Sequence, residues 1–155
     1  MAHVPFEDAK VEYTKRQPVV LVVDDEKIIA DTLSIILSKS GFSVATAYDG
    51  IKGLELAKRI RPELVISDVV MPGMTGVELA IALAQTVPEC KILLFSGQAA
   101  TVDLLERARN AGYCFTTLAK PVHPTDLLKH ISECLTASPE MAAFSTINAT
   151  ELAVY

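Results

Sequence analysis

The chain has 155 residues, of which 50% are apolar and 21% are charged, and its formal net charge is -5. This composition indicates one globular domain with some spare length. The acidic balance argues against direct nucleic-acid binding, which depends on clustered Lys and Arg, and it suits a divalent cation better. No apolar run reaches the roughly 18 to 20 residues of a membrane helix, and the N-terminus lacks the pattern of a secretory signal. We therefore expect a cytoplasmic protein without a membrane partner.

The first half of the chain predicts a short extension followed by two strands and two helices. Residues 1 to 17 mix charges with single apolar residues, which indicates a flexible lead-in. Val19 to Val23 is a continuous branched run, predicted as a buried strand that ends at Asp24 and Asp25. A helix is predicted from Glu26 to Ser40, because apolar residues recur there at helical spacing. They are Ile28, Ile29, Leu33, Ile36 and Leu37.

The next two elements are a strand from Phe42 to Tyr48 and a helix that Arg61 and Pro62 end. The apolar residues of this helix are Ile51, Leu54, Leu56, Ala57 and Ile60.

The central strand is predicted over residues 63 to 68, a short apolar run that closes at Asp68. Pro72, Gly73 and Gly76 then turn the chain. Such a run is typical of a strand that is buried on both faces. Asp68 is therefore predicted at the carboxyl end of a central strand, the edge at which open parallel sheets bind their ligands.

The second half of the chain continues the alternation. The predicted elements are a helix from about Val77 to Gln85, a strand from Lys91 to Phe95, a helix from Thr101 to Ala111, a strand from Phe115 to Ala119, and a helix from Pro124 or Thr125 to about Leu135. Five strand and helix pairs predict an α/β fold with a doubly wound parallel sheet and right-handed crossovers. We expect one domain over residues 18 to 136 and a short C-terminal tail over residues 137 to 155, with no output domain.

A group of charged residues and the three cysteines are explained by structure alone, without a functional role. The charged residues Asp103, Glu106, Arg107 and Arg109 predict a solvated helix face. Cys90, Cys114 and Cys134 are odd in number, lie far apart and form no CxxC pair. We predict that they are buried or half-buried thiols without a redox or zinc role.

Four of the five predicted strands end in a polar residue with a specific chemistry. These residues are Asp24 and Asp25, Asp68, Ser96, and Lys120. Each alone has a structural explanation as a turn former, a helix cap or a surface charge. Together they place three carboxylates, one ammonium group and one hydroxyl at the same edge, where like charges repel one another. This pattern favours a Mg²⁺ site, because Mg²⁺ prefers carboxylates, a carbonyl and several waters.

The same segments resemble the receiver domain of two-component response regulators. The matching motifs are residues 22–26, residues 68–76, Phe95-Ser96 and Lys120-Pro121. The resemblance covers about Val19 to Leu135, and its ordered set of motifs is specific. It implies a five-stranded sheet in the order 2-1-3-4-5, flanked by five helices.

The resemblance also implies roles for individual residues. Asp68 would accept the phosphoryl group, and Asp25, Asp68 and the backbone carbonyl of Val70 would ligate Mg²⁺. Asp24 would act on the metal through water.

Two further residues would act on the phosphoryl group. Ser96 would hydrogen-bond a phosphoryl oxygen, and Lys120 would pair with Asp68 and then with the phosphate. The peptide bond between Lys120 and Pro121 would be cis. These residue types suit phosphoryl transfer, which depends on positioning and charge neutralisation more than on the strength of the nucleophile.

Thr117 departs from the family pattern, because an aromatic switch residue usually lies three positions before the Lys. Phe115 lies two residues earlier. Either Phe115 takes over the switch through a bulge, or signalling to the output face runs differently. The simplest interpretation, which we favour, is that Phe115 and Tyr113 only pack against the core and the sheet edge.

Val70 and Gln98 occupy positions that, in this family, tune how water reaches the phosphoryl group. Val70 offers no hydrogen bond to orient that water, so we predict slow self-dephosphorylation. His123 lies beside Lys120 and could suggest a second phosphate acceptor. We interpret it instead as a loop contact or a helix-dipole partner.

We consider two main functions. The first is a stand-alone receiver, a switch rather than an enzyme, that takes a phosphoryl group from a sensor histidine kinase or a histidine phosphotransfer protein. It would signal to an unknown target by phosphorylation-dependent contact, and it could form a homodimer through the face of the fourth helix, fifth strand and fifth helix. The alternative is a Mg²⁺-dependent aspartate-nucleophile phosphatase.

The phosphatase class places its nucleophile at the first strand with a second Asp two positions on, whereas Asp24 and Asp25 are adjacent. A flavin-binding module of similar topology is a third possibility. It is disfavoured because no Ser/Thr-rich phosphate loop follows the first strand.

Overall fold

A computed structural model of the chain describes residues 16–97 and 101–136. Five strands alternate with five helices in this part of the chain. They are β1 (Val19–Val23), α1 (Lys27–Lys39), β2 (Ser43–Ala47), α2 (Gly50–Ile60), β3 (Leu64–Asp68), α3 (Gly76–Thr86), β4 (Lys91–Ser96), α4 (Thr101–Asn110), β5 (Thr116–Ala119) and α5 (Pro124–Thr136). Each predicted element is present, with ends that agree within one residue.

The strands form one parallel sheet in the order β2-β1-β3-β4-β5, which confirms the predicted α/β fold and strand order. The inner strands β1 and β3 are almost completely buried. This burial explains why their sequences are continuously apolar instead of alternating.

Helices cover both faces of the sheet. On one face, α1 and α5 pack against the strands through Ala30, Leu37, Leu127 and Ile131. On the other face, α2, α3 and α4 bury a second set of side chains, including Ala57, Leu79, Leu83 and Ala108. Because both faces are covered, the ends of the strands are left as the place where polar side chains can collect.

Local capping sets where several helices begin. The Asp49 side chain accepts a hydrogen bond from the Lys52 amide at 2.7 Å and begins α2. The Thr75 hydroxyl accepts one from the Glu78 amide at 3.1 Å and begins α3. Each interaction satisfies an amide that has no partner within its own helix.

His123 begins α5 in the same way. Its Nδ1 accepts a hydrogen bond from the Thr125 amide at 3.2 Å, and its carbonyl accepts one from the Leu127 amide at 3.0 Å. This geometry confirms the interpretation of His123 as a loop contact at a helix entry.

Two of the apolar residues that recur at helical spacing are exposed. Ile28 of α1 is 82% exposed and Ile51 of α2 is 58% exposed. Both occupy the first turn of their helix. Their helical spacing correctly indicated the two helices, but it does not show where the surface that packs against each helix ends.

The cysteines agree with prediction except at one position. No disulfide joins them; Cys90 is buried and Cys134 is half-buried. Cys114 is exposed, which corrects the prediction that all three are at least half-buried. It lies in the irregular segment before β5, where the chain passes over the surface.

At the N-terminal boundary, Glu63 accepts hydrogen bonds from the Val19 amide at 2.8 Å and from Arg16 at 3.1 Å. Residues 1 to 15 of the predicted flexible extension and the whole predicted C-terminal tail lie outside the described residues. Within the described ranges, no helix has both the length and the apolar character needed to cross a bilayer.

Candidate functional site

The carboxyl ends of the strands bring the sequence-predicted side chains to one edge of the sheet. Asp68 ends β3, Ser96 ends β4, Asp24 directly follows β1, and Lys120 directly follows β5. Parallel strands place residues from distant parts of the chain side by side at this edge, because all their carboxyl ends point the same way.

Three carboxylates form the centre of the site. Asp24, Asp25 and Asp68 each place an oxygen within 4.8 Å of the others. Asp24 is buried, Asp68 is half-buried and Asp25 is exposed. The cluster is therefore open on the side of Asp25 and closed on the side of Asp24.

Lys120 provides positive charge beside two of these acids. Its Nζ lies 3.4 Å from Asp68 Oδ1 and 3.7 Å from Asp24 Oδ2. Its backbone amide donates to the Ser96 carbonyl at 2.9 Å, which ties the end of β5 to the end of β4. A Cβ at Gly97 would lie 3.3 Å from the Lys120 Cδ, so glycine at this position leaves room for the lysine stem.

The peptide bond between Lys120 and Pro121 is cis, as the resemblance implied.

Burial raises the pKa of the Asp24 carboxyl from 3.8 to about 6. The charges of Asp68 and Asp25 act in the same direction. The Glu26 amide, which donates to Asp24 Oδ1 at 2.9 Å, and the Lys120 ammonium both oppose the rise. The pKa rises despite these two partners because removing the carboxylate from water costs more than they return, and the two neighbouring acids add a smaller contribution.

The charges and donor atoms of the site fit a bound Mg²⁺ ion. Two carboxylates about 5 Å apart repel each other by about 3 kcal/mol at an effective dielectric of about 20. The three acids form three such pairs, and Lys120 forms attractive pairs with only two of them. The net excess of two negative charges equals the charge of one divalent cation, and carboxylate oxygens are the ligands that Mg²⁺ prefers.

The backbone around Asp68 is held by close packing against α3. A Cβ added to Gly76, the first residue of α3, would lie 2.0 Å from the Asp68 carbonyl oxygen. The Gly76 amide donates to the Val69 carbonyl at 2.8 Å, and the Val69 amide donates to the Phe95 carbonyl at 3.0 Å. The sequence indicated Gly76 only as a turn residue, whereas the structure shows that its missing side chain admits the backbone of residue 68.

Val70, whose carbonyl was predicted as a metal ligand, lies in the loop directly after β3, and 39% of its surface is exposed. Gln98, the other residue predicted to influence water access, lies outside the described residues.

One polar contact of the site was missed by sequence reasoning. The Ser96 hydroxyl forms a hydrogen bond with the hydroxyl of Thr101, the first residue of α4. Thr101 is 1% exposed. A threonine at the start of an amphipathic helix is usually a local capping residue, so nothing in the sequence pattern indicated that it faces Ser96.

The aromatic residues before β5 pack as predicted. The rings of Tyr113 and Phe115 are stacked with their centroids 6.0 Å apart, and both pack against the core between the sheet and α4. Gln85 of α3 donates to the Tyr113 hydroxyl at 3.1 Å. Phe115 precedes the strand instead of beginning it, while Thr117, at the position expected for an aromatic switch residue, is buried.

Comparisons with known proteins agree with this geometry. Residues 20–132 match the family described as the response regulator receiver domain. The transcriptional regulatory protein PdtaR of Mycobacterium tuberculosis is 35% identical over 142 residues, which are 90% of this chain and 65% of that protein. The probable transcriptional regulatory protein TcrX of the same species is 35% identical over 102 residues, 65% of this chain and 44% of that protein.

Solved structures show the same similarity. A CheY-like receiver domain protein from Methanospirillum hungatei superposes with a TM-score of 0.71 at 31% identity, covering 77% of this chain and 94% of that one. The chemotaxis protein CheY4 of Vibrio cholerae gives a TM-score of 0.65 at 31% identity, covering 77% of this chain and all of that one. The matched region thus spans whole receiver structures, but only about half to two thirds of the curated relatives.

Proposed function

This chain belongs to the response regulator receiver domain family, and from that premise we propose that Asp68 accepts a phosphoryl group from the phosphohistidine of a sensor histidine kinase or a histidine phosphotransfer protein. The observation that carries the proposal is the position of the Asp68 carboxylate. It lies at the carboxyl end of the central strand β3, 3.4 Å from the Lys120 ammonium and beside two further carboxylates.

In the proposed reaction, an Asp68 carboxylate oxygen attacks the phosphorus atom of the phosphohistidine. A P–O bond forms, the P–N bond breaks, and the donor imidazole leaves with the electron pair. Lys120 neutralises negative charge on the transferred phosphoryl oxygens, and the Ser96 hydroxyl donates a hydrogen bond to one of them. The chain supplies position and charge, which are the main requirements of phosphoryl transfer.

Asp25, Asp68 and the Val70 carbonyl are the proposed Mg²⁺ ligands, with Asp24 acting through a water molecule. When bound, the metal supplies positive charge to the acidic cluster and to the phosphoryl oxygens. This assignment is supported by the convergence of the three carboxylates, which the single positive charge of Lys120 only partly neutralises.

We propose that phosphorylation alters contacts on the face formed by α4, β5 and α5. Phosphorylation of Asp68 replaces one carboxylate charge by about two phosphate charges, a net gain of about one, and places strong acceptor oxygens beside Ser96, at the start of this face. The change would control binding of a downstream protein or formation of a homodimer. In this proposal the receiver extends over residues 18 to 136, acts in the cytoplasm, makes no direct nucleic-acid contact, and is a switch without substrate turnover.

Labelling with a small phosphodonor tests the phosphoacceptor. Incubation with acetyl phosphate and Mg²⁺ should add one phosphoryl group per chain, measured by intact mass. Asp68→Ala should abolish the addition. Asp126→Asn, at an exposed acid in the first turn of α5, should leave it unchanged. Labelling that survives Asp68→Ala would refute the proposal.

The same incubation separates the switch from the phosphatase alternative. A switch accumulates as a persistent aspartyl phosphate and, once acetyl phosphate has been removed, releases about one equivalent of inorganic phosphate per labelled chain as it decays. A phosphatase would release many equivalents without accumulating the labelled protein.

A further inference from the structure

The Ser96 backbone is fixed from several sides, but its side chain has its own torsional freedom. Ser96 ends β4, where it pairs with Ala119 of β5, and its carbonyl accepts a hydrogen bond from the Lys120 amide at 2.9 Å. These bonds set the position of the Cα and leave the rotation about the Cα–Cβ bond undetermined. A serine hydroxyl can occupy three staggered positions, and they point it in different directions from the end of β4, beside the end of β3 that carries Asp68.

The hydrogen bond between the hydroxyls of Ser96 and Thr101 selects among these positions. Thr101 is a rigid partner for two reasons. Its branched side chain has few rotamers in a helix, and it is 1% exposed. A neighbour that cannot rotate freely fixes the direction of the more mobile serine hydroxyl.

We propose that Thr101 is a positioning residue that orients the Ser96 hydroxyl for the phosphoryl group, an inference that rests on the proposed function of Asp68. The proton count gives the direction of the hydrogen bonds. Ser96 has one hydroxyl proton, and an unprotonated phosphoryl oxygen can only accept. In the phosphorylated protein the Ser96 proton therefore goes to the phosphoryl oxygen, and the Thr101 hydroxyl donates to Ser96 Oγ.

This arrangement links the phosphorylation site to the first residue of α4. The chain of hydrogen bonds runs from Thr101 through Ser96 to the phosphoryl oxygen, and each bond polarises the next. Thr101 itself does not touch the reacting atoms, so its contribution lies in the orientation of Ser96.

Binding of beryllofluoride, a phosphoryl analogue, with Mg²⁺ to the whole chain tests the proposal by calorimetry. Thr101→Val keeps the shape of the side chain but removes the hydroxyl, and it should weaken binding about five- to tenfold, the effect of losing one hydrogen bond. Thr101→Ser restores a hydroxyl and should recover most of the affinity. Thermal unfolding checks that each variant is folded. If Thr101→Val does not fold, Thr101→Ala is used in its place.

A double-mutant cycle separates orientation of Ser96 from a general packing effect. In a Ser96→Ala background, Thr101→Val should cause no further loss of beryllofluoride affinity, because the hydroxyl that it orients is absent. A loss of equal size in both backgrounds, or wild-type affinity in Thr101→Val, would overturn the inference. If the inference is overturned in this way but Asp68→Ala still abolishes labelling by acetyl phosphate, the proposed function stands and only the role of Thr101 fails.

Discussion

Asp24 shows how a single buried charge sets the properties of the site. It is 3% exposed, and its pKa rises to about 6 although the Glu26 amide and Lys120 both favour its charged form. A carboxyl group whose pKa is higher in the folded chain than in the unfolded chain stabilises the fold only while it is protonated. This contribution is complete below about pH 4 and is lost as the pH rises through about 6. The metal-free protein is thus less stable at neutral pH than its packing alone would allow.

Asp24→Asn should therefore stabilise the protein in the presence of a chelator at pH 7. The amide side chain keeps an oxygen that can accept from the Glu26 amide but carries no charge. The difference between the pKa of Asp24 in the unfolded chain, 3.8, and in the folded chain, about 6, corresponds to at most about 3 kcal/mol in the free energy of unfolding. Urea unfolding should show a gain of about 1 to 3 kcal/mol at pH 7 and little gain at pH 4. An equal gain at both pH values would contradict the electrostatic explanation.

Val70 is predicted to slow the loss of the phosphoryl group. Its exposed side chain follows Asp68 by two residues and cannot hydrogen-bond a water molecule. A hydrogen bond from an amide side chain that stabilises the attacking water by about 1 kcal/mol in the transition state would speed hydrolysis about fivefold. Val70→Asn should therefore shorten the lifetime of the aspartyl phosphate by about that factor. The decay of the labelled protein measures this lifetime. Val102→Asn, at an exposed valine of α4, is the matched control and should decay like the wild type.

At the scale of elements, the junction between β3 and α3 positions the proposed phosphoacceptor. The first turn of α3 approaches so closely that Gly76 lies against the Asp68 carbonyl. Thr75 caps the helix, and the Gly76 amide binds the Val69 carbonyl. These contacts fix the end of β3 against the start of α3, and they hold residue 68 at the carboxyl edge of the sheet.

Gly76→Ala should destabilise the fold and impair phosphorylation together. Alanine is normally better than glycine in a helix by about 1 kcal/mol, but here its Cβ would overlap the Asp68 carbonyl. We expect a net loss of about 2 kcal/mol or more in the free energy of unfolding and at least a tenfold slower labelling by acetyl phosphate.

Gly112→Ala is the control for this substitution. Gly112 has a positive φ of 93° and open space around it, so alanine there strains the backbone far from the site. It should cost about 1 kcal/mol in stability without slowing the labelling of folded protein. Unimpaired labelling in Gly76→Ala would show that the contact with residue 68 does not position its carboxylate.

At the scale of the whole molecule, the sheet brings together charges that the unfolded chain keeps apart. Asp24 and Asp68 are separated by 44 residues and Lys120 lies further still along the chain. Folding therefore assembles a cluster with an excess of negative charge, and a cation that binds only the folded chain should stabilise the entire domain.

Mg²⁺ should raise the melting temperature of the unphosphorylated protein. At a concentration about 100 times the dissociation constant, binding to the native state alone contributes about 2.7 kcal/mol, or a shift of roughly 10 °C for a domain of this size. Asp25→Asn, which removes a proposed ligand on the exposed side of the cluster, should abolish most of the shift. Thermal unfolding with and without the metal measures both effects, and a full shift in the variant would count against Asp25 as a ligand.

The amino-acid sequence by itself determined the order and type of the elements, the strand order through its family resemblance, and the polar residues at the strand ends. These features depend on local periodicity and on residues next to turns, so neighbouring positions carry the information. Only the tertiary structure decided that Asp24 is buried with a raised pKa, that Gly76 meets Asp68, and that Thr101 faces Ser96. It also decided that Ile28, Ile51 and Cys114 are exposed. Each of these features depends on which surfaces from separate elements meet, and local sequence patterns do not specify such contacts.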